Sequence, residues 1–388
     1  MVLTIFSLET SVAQNYKDSL DYVLNQIALK SDLPGFGVSI VNKNGLLYHN
    51  NFGFANLRDQ KPYQSNTIQY IGSISKGFVA MALMKVLEEK LLSLETHIND
   101  LLPFKIIHPY FPNDPITIKH LVTHTSGLSD SKHYGKTYIQ EENLAINKGQ
   151  VSKHYFHRAM RQRSNLAIPM EDFLKKIYDR NGVWFSKKNF LKNKPGEHYS
   201  YANNNASLVA LLIEIVSGQS FADYCRSNIL EPLNLSNSSW DMSKINLDNY
   251  ATPYWYDQTP FPRYSMVTYP DGGLLSTVND LSAFTIELLK GYHGESKLLR
   301  KDSYRTMLDP LFNGGDQPGV FWDNTDSGWR GHGGGDPGTF TLLLFNTEKE
   351  IGKIFFTNTF ADFDEGLKED FRAVWEQLSK YQDLLSNN

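Results

Sequence analysis

The chain has 388 residues, 41% of them hydrophobic and 21% charged, with a net charge of −4 at neutral pH. This balance excludes a disordered or fibrous chain and gives no electrostatic reason to expect nucleic acid as a partner. No uninterrupted apolar run reaches the roughly 18 residues of a membrane span, and the single cysteine, Cys225, forbids an internal disulfide and reads as a small core residue.

Met1 to Gln14 is largely apolar, and Ser11 and Ala13 precede Gln14 in an A-x-A-like pattern without a basic flank. It reads as a signal-peptide remnant and predicts a periplasmic or secreted protein. The other reading is an apolar N-terminal strand, which leaves a cytoplasmic location open. Asn15 to Ser31 has helical spacing and ends at Pro34-Gly35. Phe36 to Val41 and Leu46 to Phe54 are β-rich runs around Asn44-Gly45, a dipeptide suited to a type I′ hairpin.

The next stretch carries the chemistry. From Phe78 to Met84 every residue is apolar, so the helix predicted over Ser73 to Leu92 should be buried all round. Ser73 and Lys76 stand three apart, on one face, with the hydroxyl near the helix N-terminus. Burial lowers a lysine pKa, so Lys76 can take a proton from Ser73. Ser129-Asp130-Ser131-Lys132 has the same spacing but lies in a polar, loop-like stretch, which leaves Ser73 as the candidate nucleophile.

Further helices are predicted at Ile118 to Thr125, Met170 to Tyr178, Ala206 to Val216, Phe221 to Ile229 and Leu281 to Leu289, several closed by glycine. A polar segment at 129–168 interrupts them. Its basic run Lys153 to Arg163 reads as a solvated insert bordering the cleft, and no site or metal is placed there. Tyr201-Ala202-Asn203 follows Pro195-Gly196 at the mouth of the helix that starts near Ala206. Tyr201 can relay a proton if Lys76 lowers its phenol pKa, and Asn203 can orient an amide. Gly331 to Gly338 is too rich in glycine to be a packing element and predicts close approach of backbone to a ligand. The N–H groups of Gly335 and Ser73 are candidates for an oxyanion hole. Trp322 and Trp329 read as packing residues. Thr339 to Phe345 and Ile351 to Thr357 form a second hairpin, followed by an amphipathic helix over Asp362 to Leu385.

Hairpins and helices at both ends with helices between them imply an α+β fold of two lobes. An antiparallel sheet built from both chain ends, about 15–70 and 290–388, has flanking helices. A mostly helical lobe, about 71–289, is inserted between its halves, and the whole of 15–388 is one domain.

Ser73-Ile74-Ser75-Lys76, Tyr201-Ala202-Asn203 and His332-Gly333-Gly334 together resemble, in order and spacing, the three active-site motifs of the serine β-lactamase and penicillin-binding-protein superfamily. Ile116 to Leu128 and Gly272 to Thr277 are similar to stretches of its class C-related branch, so the resemblance covers about residues 15–380. It implies a β-lactamase-like fold and an acyl-enzyme on Ser73. Lys76 and Tyr201 would share the proton, and water activated by Tyr201 would release the acyl group. Asn203, His332, Gly334 and Gly335 would bind substrate or the oxyanion, with His332 beside Tyr201 helping to set its charge. No metal or organic cofactor is implied, and the partner is a small-molecule or peptide substrate.

His332 stands where β-lactamases of this branch carry lysine, and Gly333 replaces threonine or serine. These departures resemble the D-alanyl-D-alanine carboxypeptidases, D-amino-acid peptidases and carboxylesterases of the branch. A β-lactam-hydrolysing enzyme and a non-catalytic penicillin- or peptide-binding sensor are the competing readings. Leaving group and oligomeric state are not legible.

Overall fold

The computed structural model of the chain describes residues 2–90, 92–142, 151–360 and 364–386, with residues 2–13 and 90 as backbone alone. The architecture is α+β. A seven-stranded antiparallel sheet runs in the order β3-β2-β1-β11-β10-β9-β8. Its first three strands are β1 (Gly35–Asn42), β2 (Gly45–Asn56) and β3 (Lys61–Pro62). Its last four are β8 (Asp323–Asn324), β9 (Trp329–Asp336), β10 (Thr339–Asn346) and β11 (Ile351–Thr357). The two chain ends meet where Phe36 pairs with Thr357 and Asn42 with Ile351. Short ladders join β4 (Gln69–Tyr70) to β7 (Leu275–Ser276) and β5 (Tyr138–Gln140) to β6 (Tyr264–Met266).

Local chemistry explains the turns. Asn42 Oδ1 accepts from the N–H groups of Asn44 and Gly45 at 2.9 and 3.0 Å, so the first hairpin turns at Lys43-Asn44, one residue before the expected pair. Pro337 and Gly338, the latter at φ +76°, make the tight turn between β9 and β10, with proline's fixed φ first and glycine where φ is positive.

Helices α1 (Val2–Lys30) and α10 (Glu365–Ser386) cover the outer face of the sheet. Leu20 and Leu24 of α1 and Val374 and Leu378 of α10 pack there with Val38, Ile40 and Phe355. The side chains of 1–13, on which the export reading rests, lie outside the described residues. The backbone from Val2 is helical, which corrects the strand alternative for that segment.

On the inner face, α8 (Val278–His293) packs on β1 and β11. The sheet lobe therefore takes in the chain from 278 onward, starting earlier than the boundary near 290 read from the sequence. Beyond it lies α2 (Ser75–Lys90), whose Phe78 stacks on Phe284 of α8 at 3.9 Å. As its apolar run requires, Phe78 to Met84 are all buried, and α2 is surrounded by α6 (Asn203–Ser217), α7 (Phe221–Cys225) and α9 (Lys301–Leu308). Gly77 permits part of this packing, because a Cβ there would lie 2.4 Å from the indole of Trp322. The short helices α3 (Ile118–Val122) and α5 (Met170–Tyr178) complete the lobe against α6. α9 is one helix the sequence did not suggest. Cys225 is buried, as expected.

The basic run of the insert forms α4 (Lys153–Arg163). Lys153, Arg161 and Arg163 face outward, but Arg158 lies over the Tyr138 ring at 5.6 Å and Tyr155 anchors the helix, with ring centroids 5.6 Å from Trp255 and 5.3 Å from Phe261. Among the described residues no single helix is long and apolar enough to cross a membrane.

Candidate active site

Ser73 sits in the single 3-10 turn Gly72–Ile74 that leads directly into α2. Two hydroxyls of β10 tie down the approach: Thr339 Oγ1 donates to the Tyr70 carbonyl and Thr341 Oγ1 to the Ile71 carbonyl, each at 2.7 Å. Gly72 is at φ +52°, and a Cβ there would lie 2.8 Å from Gly335 N and 2.9 Å from Gly334 C. Only glycine lets the turn press on β9 this closely. A Cβ at Gly334 would in turn fall 2.0 Å from the Ile71 carbonyl oxygen. The glycine run is thus a paired strand of the sheet, which corrects the expectation that it could not be a packing element. Gly334 is buried against the Ser73 turn and does not face a ligand, whereas Gly333 and Gly335 are exposed. Asp336 pairs with Thr339 across the two-residue turn. By the antiparallel alternation the next pair, Gly335 with Phe340, is not hydrogen-bonded, and the Gly335 N–H points away from β10 toward the Ser73 turn.

Lys76, one turn along, is fully buried. Its Nζ donates to Ser73 Oγ at 2.9 Å, Asn203 Oδ1 at 2.8 Å and the Asp271 carbonyl at 2.5 Å. Burial pulls its pKa below the usual lysine value, against the opposing pull of Asp271, Asp130, Asp336 and Asp323. Tyr201 completes the group: its hydroxyl donates to Ser73 Oγ at 2.8 Å, and Lys76 Nζ lies 5.1 Å from its ring centroid. Tyr201 is 37% exposed along the cleft, yet its hydroxyl end is withdrawn against Ser73, and that burial pushes the phenol well above its usual range. The expected lowering by Lys76 is overridden, and Tyr201 is held protonated.

Asn203 opens α6. Its main-chain N–H and Nδ2 donate to Asp130 Oδ2 at 3.0 and 2.9 Å, and the N–H of Asn204 donates to Asp130 Oδ1 at 3.1 Å. Asp130 therefore caps α6 from a distant loop and turns the Asn203 amide so that its oxygen meets Lys76. One Nδ2 hydrogen remains for a substrate amide.

His332 lies beside Tyr201, ring centroids 5.8 Å apart. Burial, then the charge of Lys76, lowers its pKa to about 4, so it is neutral at physiological pH and brings no positive charge to Tyr201. The expectation that it helps set the charge of Tyr201 is corrected accordingly.

The sequence missed three residues of this constellation. Asp130 lies inside the second Ser-x-x-Lys match, in the polar segment where no site was placed. Asp271, 1% exposed, accepts from Tyr134 at 2.8 Å and Ser207 at 3.0 Å while its carbonyl holds Lys76, and burial raises its pKa to about 7. His124 underlies Tyr201, ring centroids 4.5 Å apart, and its Nδ1 faces the amide of Asn205 at 3.1 Å. Only His124 lay in a stretch similar to the class C-related branch, Ile116 to Leu128; Asp130 and Asp271 lie just outside the two stretches that carry that resemblance. Among the described residues no group of three or more His, Cys, Asp or Glu is placed to hold a metal ion.

Comparison with known proteins agrees with this fold. The Beta-lactamase family model matches residues 12–375. Penicillin-binding protein 4* of Bacillus subtilis (strain 168) is 24% identical over 368 residues, 89% of this chain and 72% of that protein. Protein flp of Staphylococcus aureus (strain N315) is 22% identical over 385 residues, 97% of this chain and 70% of that protein. Among solved structures, the octameric penicillin-binding protein homologue from Pyrococcus abyssi is similar with a TM-score of 0.70 and 25% identity, covering 93% of this chain and 76% of that one.

Proposed function

The chain belongs to the Beta-lactamase family of serine hydrolases, and from that premise we propose that it cleaves an ester or amide through an acyl-enzyme on Ser73. One observation carries the reading: Ser73 Oγ is held between Lys76 Nζ at 2.9 Å and Tyr201 OH at 2.8 Å.

Lys76 is the base. Two of the contacts of its Nζ go to atoms that only accept, Asn203 Oδ1 and the Asp271 carbonyl, and the third faces Ser73. A neutral amine gives its two hydrogens to those acceptors, which leaves its lone pair aimed at the Ser73 proton. Ser73 Oγ bonds to the substrate carbonyl carbon as that proton moves to Lys76. The resulting oxyanion accepts from the N–H groups of Ser73 and Gly335, an arrangement worth roughly 100-fold or more in rate. Tyr201, kept protonated by burial, gives its proton to the leaving group and is reloaded from Lys76. Water then attacks the acyl carbonyl by the same route in reverse, its proton passing to Lys76 and on to Ser73.

Within the family, the neutral His332 and the missing side chain at Gly333 favour a carboxylesterase or a peptidase acting beside a D-amino acid over a β-lactam hydrolase.

The test is the intact mass of the protein after brief exposure to a fluorophosphonate, a penicillin and a short acyl ester, for wild type and Ser73→Ala in parallel. We expect a fluorophosphonate adduct and ester turnover in wild type, both lost in Ser73→Ala with an unchanged melting temperature. Ester turnover surviving the substitution removes Ser73 from the mechanism. Rapid destruction of the penicillin selects the β-lactamase alternative, and a folded wild type that no reagent marks selects a binding protein.

A further inference from the structure

The polarity of the cleft wall beside His332 selects among substrates. His332 Nδ1 is hydrogen-bonded to the Gly333 carbonyl, an atom that only accepts, so Nδ1 carries the ring hydrogen. With the imidazole neutral, Nε2 is a bare lone pair. It has no protein partner among the described residues and is not sealed from solvent, so it faces the cleft as an acceptor. The next positions on β9 add no donor side chain. A Cβ at Gly333 would touch nothing nearer than Leu342 at 3.9 Å, and one at Gly335 would touch nothing, so there is room for a ligand but no hydroxyl or ammonium to meet one.

Positive charge is equally scarce. Lys76 Nζ is engaged by three oxygens, those of Ser73, Asn203 and the Asp271 carbonyl. Arg330, two residues before His332, is buried and engaged by Asp309 at 2.7 Å, by Thr347 and by Tyr292. Against these stand four carboxyl groups that act on Lys76: Asp130, Asp271, Asp323 and Asp336. Asp130 is occupied by the N-terminus of α6, Asp271 by Tyr134 and Ser207, and Asp336 by Tyr138 at 2.5 Å. Asp323 is different. It lies half-buried on β8, the strand beside β9, accepts no hydrogen bond among the described residues, and acts electrostatically on Tyr199 and Tyr201. In the acyl-enzyme reading, on which this inference rests, Tyr201 protonates the leaving group, so the leaving group lies against the adjoining His332.

We infer that the cleft selects a leaving group that offers hydrogen-bond donors to His332, a primary ammonium above all, and discriminates against one that carries a carboxylate. A carboxylate brought to this wall would lose its water to an acceptor nitrogen and nearby carboxyl groups, with neither Lys76 nor Arg330 free to meet it. An ammonium finds the His332 lone pair and the unpartnered Asp323.

The experiment compares acetate esters of three phenols of similar size, with a 4-aminomethyl, a 4-ethyl or a 4-carboxymethyl group. Wild type should turn them over with kcat/KM in the order ammonium, ethyl, carboxylate, the extremes differing by at least about tenfold and the gap closing in high salt. His332→Lys, which supplies the missing cation, should favour the carboxylate ester relative to the ammonium ester. Asp323→Asn should narrow the ratio. Fluorophosphonate labelling of Ser73 is measured on every sample. Normal labelling with equal or reversed preference in wild type overturns the inference, as does a wild-type ratio unchanged in both variants. Absent labelling with none of the esters cleaved overturns the Ser73 reading instead.

Discussion

Lys76 is committed on three sides to oxygen and on a fourth to the face of Tyr201, and this geometry fixes how the site should respond to pH. Lys76 must be neutral to accept the serine proton, and its folded pKa lies below the ordinary lysine value. For an uncharged ester, kcat/KM should therefore rise with pH as Lys76 loses its proton and then stay level, because the Tyr201 phenol is held well above 10. Asp323, raised to about 7, ionises near neutral pH, and Asp323→Asn separates its part from that of Lys76. His332, near 4, stays neutral throughout and adds no step between pH 5 and 8. Tyr201→Phe should keep the rise but lower the plateau by about 100-fold. A falling limb between pH 7 and 9 that disappears in Tyr201→Phe would show instead that the phenol ionises. The residues in this scheme were legible in proportion to how local their chemistry is. Ser73 with Lys76, and Tyr201 with Asn203, lie in short motifs at helix openings. Asp271 acts through its main-chain carbonyl and Asp130 through a cap on a distant helix, and neither leaves a pattern in neighbouring residues.

At the scale of elements, α6 depends on a loop far from it in the chain. Its N-cap position is Ala202, which offers no side chain, and Asp130 supplies the missing acceptor. Asp130→Ala should cost about 1–2 kcal/mol of stability, the usual worth of a capping acceptor, read from the urea midpoint. It should also lower kcat, because Asn203 is then free to turn away from Lys76. A variant that loses stability but keeps full kcat would mean that Asn203 holds its orientation without Asp130. The helices α2, α5, α6 and α8 were legible from their apolar residues, whereas β9 was hidden. Glycine content argues against a strand by propensity. Here the close approach of the Ser73 turn requires glycine at positions that pairing with β10 has already made extended.

At the scale of the molecule, the two-lobed plan was legible because each chain end carries an alternating hairpin next to a helix. The boundary near 290 was misplaced because α8 looks, in isolation, like any other helix between the hairpins. Only its packing on β1 and β11 assigns it to the sheet. The outer layer, where both ends meet, holds a buried lysine. Lys353 of β11 lies between Trp329 at 4.8 Å and Trp375 at 4.6 Å, and burial lowers its pKa to about 8. Between about pH 8 and 10.5 the unfolded chain holds a proton at this residue that the folded chain has released. Stability from this residue should therefore rise across that window and be lowest below it. Lys353→Met should abolish the rise, seen as a denaturation midpoint that no longer gains between pH 7 and 9.5 relative to wild type. An identical pH dependence in the two proteins would show that the lysine keeps its charge between the indoles.

The pairing of Phe36 with Thr357 also sets a timetable for synthesis. Ser73, Lys76 and Tyr201 leave the ribosome before β9, which brings Gly335 to them, and before β11, which closes the sheet over β1. Contacts between such distant residues form slowly. A nascent chain therefore carries Ser73 for a long stretch of synthesis without the strand that would stabilise negative charge beside it, and the site is complete only once β9 has emerged.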